Sequence, residues 1–241
     1  MVISKKIDRM LQKLPTGATF TYQDFSINAE EYNAAAKAME RLVKKGSVKR
    51  LSTGVFYKPK QTAFGELKPA EDEMLKNLLF SNDKRIAYIT GTRLYNWLGL
   101  TTQVPKVIKI ASRDKRISAS VGNLKGQPVK SYVDVSDKNY YLLGILDAMK
   151  DFNQIPDLDK KSGIKLLAGR IKNFNAKEID LLVKYALKYP PRTRAFLGAL
   201  LETNSIVENL PLLKKSLNPL SQYQYNMSKE VLPTAKNWNI T

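Results

Sequence analysis

Seven polar side chains within the first 60 residues have the types and spacing that nucleic-acid binding requires. Four recur at helical spacing in a long amphipathic segment, and three stand on two β-prone runs that follow it. They are Asn33, Lys37, Arg41 and Lys44 on the predicted helix and Lys49, Arg50 and Lys58 on the predicted hairpin. Lysine and arginine neutralise phosphates, whereas asparagine and arginine can also bind base edges. The set predicts a DNA-binding surface.

The surrounding sequence predicts the elements that would position these residues. An amphipathic helix that ends before Pro15 is followed by a short helix and by a long helix over residues 28–46, whose periodicity places Tyr32 on the buried side. Two runs rich in Val, Leu, Phe and Tyr, joined by a turn that contains Gly54, predict a β-hairpin. Residues 1–60 therefore predict a winged helix-turn-helix, a module that serves either nucleic-acid binding or protein docking.

The charge of the chain indicates a polyanionic partner. The 241 residues include 40 Lys and Arg against 22 Asp and Glu, which gives a net charge of +18. Such an excess attracts DNA or RNA and, less specifically, an anionic membrane or an acidic protein. Because no apolar run approaches the roughly 20 residues that span a bilayer, and the N-terminus lacks the apolar region of a signal peptide, we expect a soluble cytoplasmic protein without a membrane partner.

The sequence gives little support to an enzyme. It contains no cysteine and no histidine, which excludes thiolate nucleophiles, Cys/His zinc sites and imidazole bases. Carboxylate and Mg²⁺ chemistry is still possible. A nucleotidyltransferase, however, has a Gly-Ser turn before its acidic pair, whereas here the Ser-Gly pair follows Asp157 and Asp159. Asp134 and Asp137 show no further motif. We interpret these carboxylates as helix caps and solvated loop residues, and we expect no catalytic residue, cofactor or metal.

The chain after the winged helix predicts an α+β protein with three further regions. Residues 61–70 hold few large apolar groups and predict a linker. Residues 71–137 alternate helix and strand patterns and predict a small mixed α+β domain. Residues 138–241 predict a helical C-terminal region, which could pack with residues 71–137 as one domain, and the tail from residue 218 is expected to lie along the surface or to pack as an extended strap.

A second basic segment lies in the predicted mixed domain. Residues 112–126 predict a loop between two strands, and this loop carries Arg113, Lys115, Arg116 and Lys125. These side chains could contact DNA phosphates. An ordinary solvated loop explains the same composition equally well.

Several stretches of the chain resemble the prokaryotic AbiEi-like proteins. They are LPTGATFTYQDF, ERLVKKGSVKRLSTGVFYKPK, FGELKP, YITGTRLYNWLGLTTQVP, YPPRTRAFLGALLE and SLNPLSQY. The resemblance implies the antitoxin of a type IV toxin–antitoxin system, whose winged helix represses its own promoter. It also implies a nucleotidyltransferase-like toxin encoded beside the antitoxin, without a tight complex between them. It carries over the seven winged-helix residues named above and assigns no residue to toxin neutralisation.

Residues 90–103 are the best candidate for a functional patch specific to this family. The alternative interpretation is structural: Gly91 allows a tight strand-to-helix turn, Thr90 or Thr92 caps the helix, and Leu94, Trp97 and Leu98 belong to the core. Two other functions remain open beside the DNA-binding antitoxin. One is an RNA- or ribosome-associated basic protein, and the other is a carboxylate- and Mg²⁺-dependent enzyme acting on nucleic acid.

Overall fold

A computed structural model describes residues 3–121, 124–227 and 230–241 and shows the α+β class that the sequence predicts. The chain divides into two compact units. The first comprises Met1–Arg85 with Ser118–Lys125, and the second comprises Ile86–Ile117 with Gly126–Thr241.

The first unit contains the predicted first helix, long helix and hairpin, together with a short strand after the first helix that the sequence did not predict. Its elements are α1 (Ile3–Lys13), β1 (Thr19–Thr21), two 3-10 helices (Gln23–Phe25 and Ala29–Glu31), α2 (Tyr32–Lys44), β2 (Lys49–Ser52) and β3 (Val55–Tyr57). The strands form an antiparallel sheet in the order β1-β3-β2. The predicted second helix is only a 3-10 turn, because the Asp24 carboxylate accepts from Thr21 N at 2.6 Å and Ser26 adopts a left-handed φ of 49° that ends it.

One apolar cluster holds this part of the unit together. Its buried members are Ile7, Leu11, Phe20, Phe25, Ala35, Ala38, Met39, Val48 and Phe56. The Phe20 ring lies 5.1 Å from that of Phe25 and 6.0 Å from that of Phe56, measured between centroids. These contacts join the sheet to the helical turn, while the apolar faces of α1 and α2 pack on each other.

The segment predicted as a linker, residues 61–70, instead contains a second hairpin. Its strands are β4 (Lys60–Thr62) and β5 (Gly65–Leu67). The turn is closed because Gly65 takes a φ of 105° and the Thr62 hydroxyl donates to its carbonyl at 2.7 Å. The sequence pattern misses this hairpin because its strands are polar and mostly exposed, so no apolar alternation marks them.

A third helix, expected in the mixed domain, groups with the first unit. The remaining elements here are α3 (Glu71–Leu79), β6 (Phe80–Ser81) and β7 (Lys84–Arg85). The Thr19 hydroxyl donates to the Glu73 carbonyl at 2.7 Å and accepts from Asn77 Nδ2 at 2.9 Å. These bonds attach α3 to the edge strand β1.

The second unit combines a sheet with a helical region. Its first elements are β8 (Ala87–Thr90), α4 (Thr92–Trp97), β9 (Val107–Ser112) and most of β11 (Leu124–Lys130), and β9 pairs with both β8 and β11. The strand β10 (Ala119–Val121) and the start of β11 belong to the first unit. Residues 122 and 123 of the predicted basic loop lie outside the described residues. The helical region comprises α5 (Tyr140–Lys150), α6 (Lys160–Lys172), α7 (Ala176–Ala186), α8 (Pro191–Thr203) and α9 (Leu210–Lys215).

The sheet and the helices of the second unit share one core. Tyr88 of β8 and Ala111 of β9 belong to the same buried cluster as the apolar faces of α5, α6, α7 and α8. The chain tail is part of this core as well, so of its two expected arrangements it packs on the unit and does not merely lie along the surface. Trp238 is buried, and its indole Nε1 donates to Glu202 on α8. Residues 228 and 229 of the tail lie outside the described residues.

Gly198→Ala is expected to lower the free energy of unfolding by about 1–3 kcal/mol, as overpacking of a core does. A Cβ at residue 198 would lie 2.2 Å from the Trp238 ring, so the buried indole would have to move. Urea denaturation measures the change. Gly169→Ala in α6 is the matched control, because its Cβ would meet nothing within 4 Å and alanine favours a helix. Equal stability of the two variants would contradict the tight packing of Trp238 on α8.

Candidate nucleic-acid interface

The exposed face of α2 carries the four helix residues that the sequence selected. Asn33, Lys37, Arg41 and Lys44 are all exposed, while Ala35, Ala38 and Met39 of the same helix are buried. The helical period therefore separates the polar face from the core as expected. Lys44 Nζ lies 3.4 Å from Glu40 Oε1, but both side chains are largely exposed, so this surface pair holds Lys44 only weakly.

Three of these residues border a shallow depression beside α1. Asn33, Lys37 and Arg41, together with Ser4 of α1, line an open cavity of about 340 Å³. Arg41 Nε donates to the Lys37 carbonyl at 3.3 Å, which directs the guanidinium along the helix. A smaller depression of about 100 Å³ places Arg41 beside Asp8. Two shallow depressions thus border the basic row of α2 on the α1 side, and the smaller one also contains the carboxylate of Asp8.

Lys49 on the hairpin is tied to the second hairpin. Its Nζ lies 3.3 Å from Glu66 Oε2, and Glu66 also accepts from the Tyr57 hydroxyl at 2.9 Å. The hydrogen bond from Tyr57 and the Lys49 ammonium lower the pKa of Glu66, while burial and Glu66 raise the pKa of Tyr57 to about 12. Part of the Lys49 charge is therefore compensated within the unit.

Arg50 belongs to an aromatic cluster that the sequence pattern did not reveal. Its guanidinium lies 5.6 Å from the Phe56 ring centroid, and Tyr22 meets both Phe56 and Tyr32 with ring centroids 5.5 and 5.0 Å apart. Tyr32 is 50% exposed, which corrects its predicted burial. Tyr32 is the first residue of α2, and the buried residues of this helix begin only at Ala35. The Tyr32 ring therefore packs on Tyr22 and not in the apolar cluster. Arg50, Tyr22 and Tyr32 place cationic and aromatic groups together at the start of α2.

Lys58 has a structural role, which corrects its assignment to the DNA-binding set. Its Nζ donates to the carbonyls of Leu11 at 3.0 Å and Leu14 at 2.9 Å. The backbone brings it there, because Gly17 N donates to the Lys58 carbonyl at 2.7 Å. Carbonyls at a helix C-terminus have no partner within the helix. Lys58 therefore caps the C-terminus of α1, and we do not include it in the candidate interface.

A buried polar network occupies the start of the predicted family-specific patch in the second unit. The Asp147 carboxylate on α5 accepts from the Thr90 hydroxyl at 2.6 Å, Tyr88 at 2.8 Å and Tyr189 at 3.1 Å, and Lys150 Nζ lies 3.7 Å away. Burial raises the pKa of Asp147, and the ammonium and the three hydroxyls act in the opposite direction. Thr90 thus holds β8 to α5, and neither Thr90 nor Thr92 caps α4, whose N-cap is Gly91. Asp147 carried no motif that could have indicated this network.

The expected core of α4 is only partly correct. Trp97 is 49% exposed, and the Arg93 guanidinium lies 5.3 Å from its ring centroid. Tyr95 is buried instead, and its hydroxyl donates to Asp151 at 2.7 Å. Leu94 and Leu98 are partly buried against the core. The helix has only six residues, too few for its periodicity to fix the buried face from sequence.

The acidic residues selected as a possible metal pair have separate structural roles. Asp159 is the N-cap of α6, and its Oδ1 accepts from Ser162 N at 2.7 Å. Asp157 accepts from Gln103 Nε2 at 3.0 Å. Their interpretation as a helix cap and a loop residue is confirmed.

Across the described ranges, no helix combines the length and apolar composition needed to cross a membrane.

Comparisons with known proteins place the chain in a family and add little about its chemistry. No curated protein sequence matches it. The crystal structure of the RV2827C protein from Mycobacterium tuberculosis is similar with a TM-score of 0.44 and 13% sequence identity, over 92% of this chain and 84% of that one. The model of one protein family, described as a family of unknown function (DUF6088), matches residues 6–144. Because that match spans more than half of the chain, the protein belongs to the DUF6088 family.

Proposed function

We propose that the protein is a DNA-binding transcriptional regulator whose first unit binds duplex DNA through α2 and the β2–β3 hairpin. The observation that carries this proposal is the exposed row of Asn33, Lys37 and Arg41 on α2, which combines an amide with two cations on one helix face. Arg50 and the exposed edge of Tyr32 extend the surface toward the hairpin.

The dimensions of α2 fit the major groove of B-DNA. The helix has 13 residues, which corresponds to a length of about 20 Å and a diameter of about 10–12 Å with side chains. The major groove is about 12 Å wide and presents a distinct pattern of donors and acceptors for each base pair. Asn33 and Arg41 are the types that bind adenine and guanine edges there, and Arg50 on the hairpin can neutralise a phosphate.

The same geometry favours duplex DNA over structured RNA. The major groove of A-form RNA is too deep and narrow for side chains to read. A helix with its basic row along one face therefore has no matching groove on an RNA helix. An RNA-binding function remains the alternative outcome of the experiment below.

The resemblance to AbiEi-like proteins supports a more specific role. We propose that the duplex is the promoter of the protein's own gene, and that the protein acts in the cytoplasm as the antitoxin of a nucleotidyltransferase-like toxin without forming a tight complex with it. Co-expression of the full chain with the product of the neighbouring gene tests this role. Restored growth is expected, and continued toxicity in the presence of folded protein would refute it.

Fluorescence anisotropy with three labelled ligands tests DNA binding. The ligands are the promoter duplex, a random duplex of equal length and an RNA hairpin of equal charge. We expect the promoter to bind most tightly, with a preference over random duplex of at least about 10³-fold, as specific DNA-binding proteins show. Equal affinity for both duplexes at near-physiological salt would refute the regulator, and a preference for the hairpin would support the RNA-binding alternative.

A further inference from the structure

The second unit contains a basic groove that the proposed function does not use. It is an open cavity of about 320 Å³ between the end of β9 with its following residues and the last part of β11. Four cationic side chains and one carboxylate line it: Arg113, Lys115, Arg116, Lys130 and Asp114. We call these residues the basic groove.

The walls of the basic groove are held by backbone hydrogen bonds. Ser131 N donates to the Ser112 carbonyl at 2.9 Å, which joins the end of β9 to the end of β11. Arg113 Nη1 donates to the carbonyls of Ser131 at 3.2 Å and Tyr132 at 3.3 Å, and its Nε lies 3.9 Å from Asp134. Arg113 therefore joins the ends of the two strands through its side chain.

The other three cations have no compensation from nearby carboxylates. Lys115, Arg116 and Lys130 are exposed, and the side chain of none of them forms a hydrogen bond or ion pair with another residue of the described ranges. Asp114 is the only acidic residue among the described lining residues. Positive charges gathered in a concave surface raise the local concentration of anions. The unpaired cations indicate an anionic ligand.

We propose that the basic groove is a second phosphate-binding site for duplex DNA. This proposal rests on the proposed function, because it takes DNA as the ligand. The apolar lining residues, Pro128 and Val129, offer no side-chain donor or acceptor to a base edge. Binding there adds affinity and salt dependence but no sequence preference, as phosphate contacts do.

The double variant Lys115→Ala/Arg116→Ala tests the groove in the full chain. Each phosphate neutralised contributes about 0.9 to the slope of log K against log salt concentration. The slope is negative, and we expect its magnitude to decrease by about 1.8, both for the promoter and for a random duplex. The ratio of the two affinities should stay unchanged. Lys172→Ala/Lys177→Ala is the matched control, since both lysines are exposed on the helical region away from the lining residues. Its slope should equal that of the unmodified protein.

Lysine acetylation with and without the promoter duplex gives an independent measurement. Lys115 and Lys130 should be protected by DNA, whereas Lys172 and Lys177 should stay reactive. An unchanged slope, or equal reactivity of all four lysines, would overturn the groove and leave the proposed function intact. Failure of the unmodified protein to bind any duplex would overturn both. A loss of RNA binding without a change for duplex DNA would overturn the DNA assignment of the groove.

Discussion

Asp147→Ala is expected to lower the free energy of unfolding of the second unit by about 3–5 kcal/mol, the usual cost of removing one partner from a buried ion pair. The substitution leaves the hydroxyls of Tyr88, Thr90 and Tyr189 without their shared acceptor, and it leaves Lys150 without one of its two carboxylates. Each buried donor without a partner costs about 1–3 kcal/mol before relaxation. Urea denaturation followed by circular dichroism measures the loss.

Asp180→Ala is the matched control for this substitution. Asp180 is exposed and accepts one hydrogen bond, from Asn209 Nδ2 at 2.9 Å. Its removal should change the stability by less than about 0.5 kcal/mol, as surface substitutions do. If Asp147→Ala were as mild as Asp180→Ala, the network would contribute little, and the attachment of β8 to α5 would depend on apolar packing alone.

The double variant Lys37→Ala/Arg41→Ala is expected to remove most of the preference for the promoter over random duplex. One good bidentate contact to a base provides about 1–3 kcal/mol of discrimination, so the loss of both contacts should cost about 2–6 kcal/mol. Both side chains are exposed on α2, so the fold should be unaffected. Anisotropy titrations with both duplexes, at one salt concentration, give the preference directly.

The hairpin supplies the control for the helix. Lys49→Ala and Arg50→Ala should weaken promoter and random duplex to a similar degree, because hairpin cations contact phosphates. The effect of Lys49→Ala should be the smaller of the two, since Lys49 is already paired with Glu66. A uniform loss from the helix variant would mean that α2 positions the protein without reading sequence.

The long and regular elements were predictable from the sequence because their apolar residues repeat over several turns. The buried residues of α1 and α2 follow the 3.6-residue period, and β2 and β3 flank the turn at Gly54. The second hairpin was not predictable. Hairpin β4–β5 is held by Gly65, by backbone pairing and by Glu66, and none of these leaves a periodic apolar signal.

The candidate site was predictable only as far as exposure follows helical position. The 3.6-residue helical period predicts that Lys37 and Arg41 lie on the side of α2 away from the core. It does not predict which groups a side chain contacts when they are distant in the sequence. Lys58 differs from them because the chain returns past the end of α1. Its contacts there are with Leu11, 47 positions away in the sequence, and Leu14, 44 positions away. Asp147 gave no signal for the same reason, since its three hydroxyl partners lie on two distant segments, β8 and the residues that follow α7.

Methylation interference on the promoter duplex tests most directly whether α2 binds in the major groove. Dimethyl sulfate methylates guanine N7, an acceptor on the major-groove edge that arginine and lysine recognise. We expect methylation at specific guanines to block binding of the unmodified protein and to have no further effect on Lys37→Ala/Arg41→Ala. Binding that tolerates methylation at every guanine, while remaining specific for the promoter, would contradict recognition by Lys37 and Arg41 of α2.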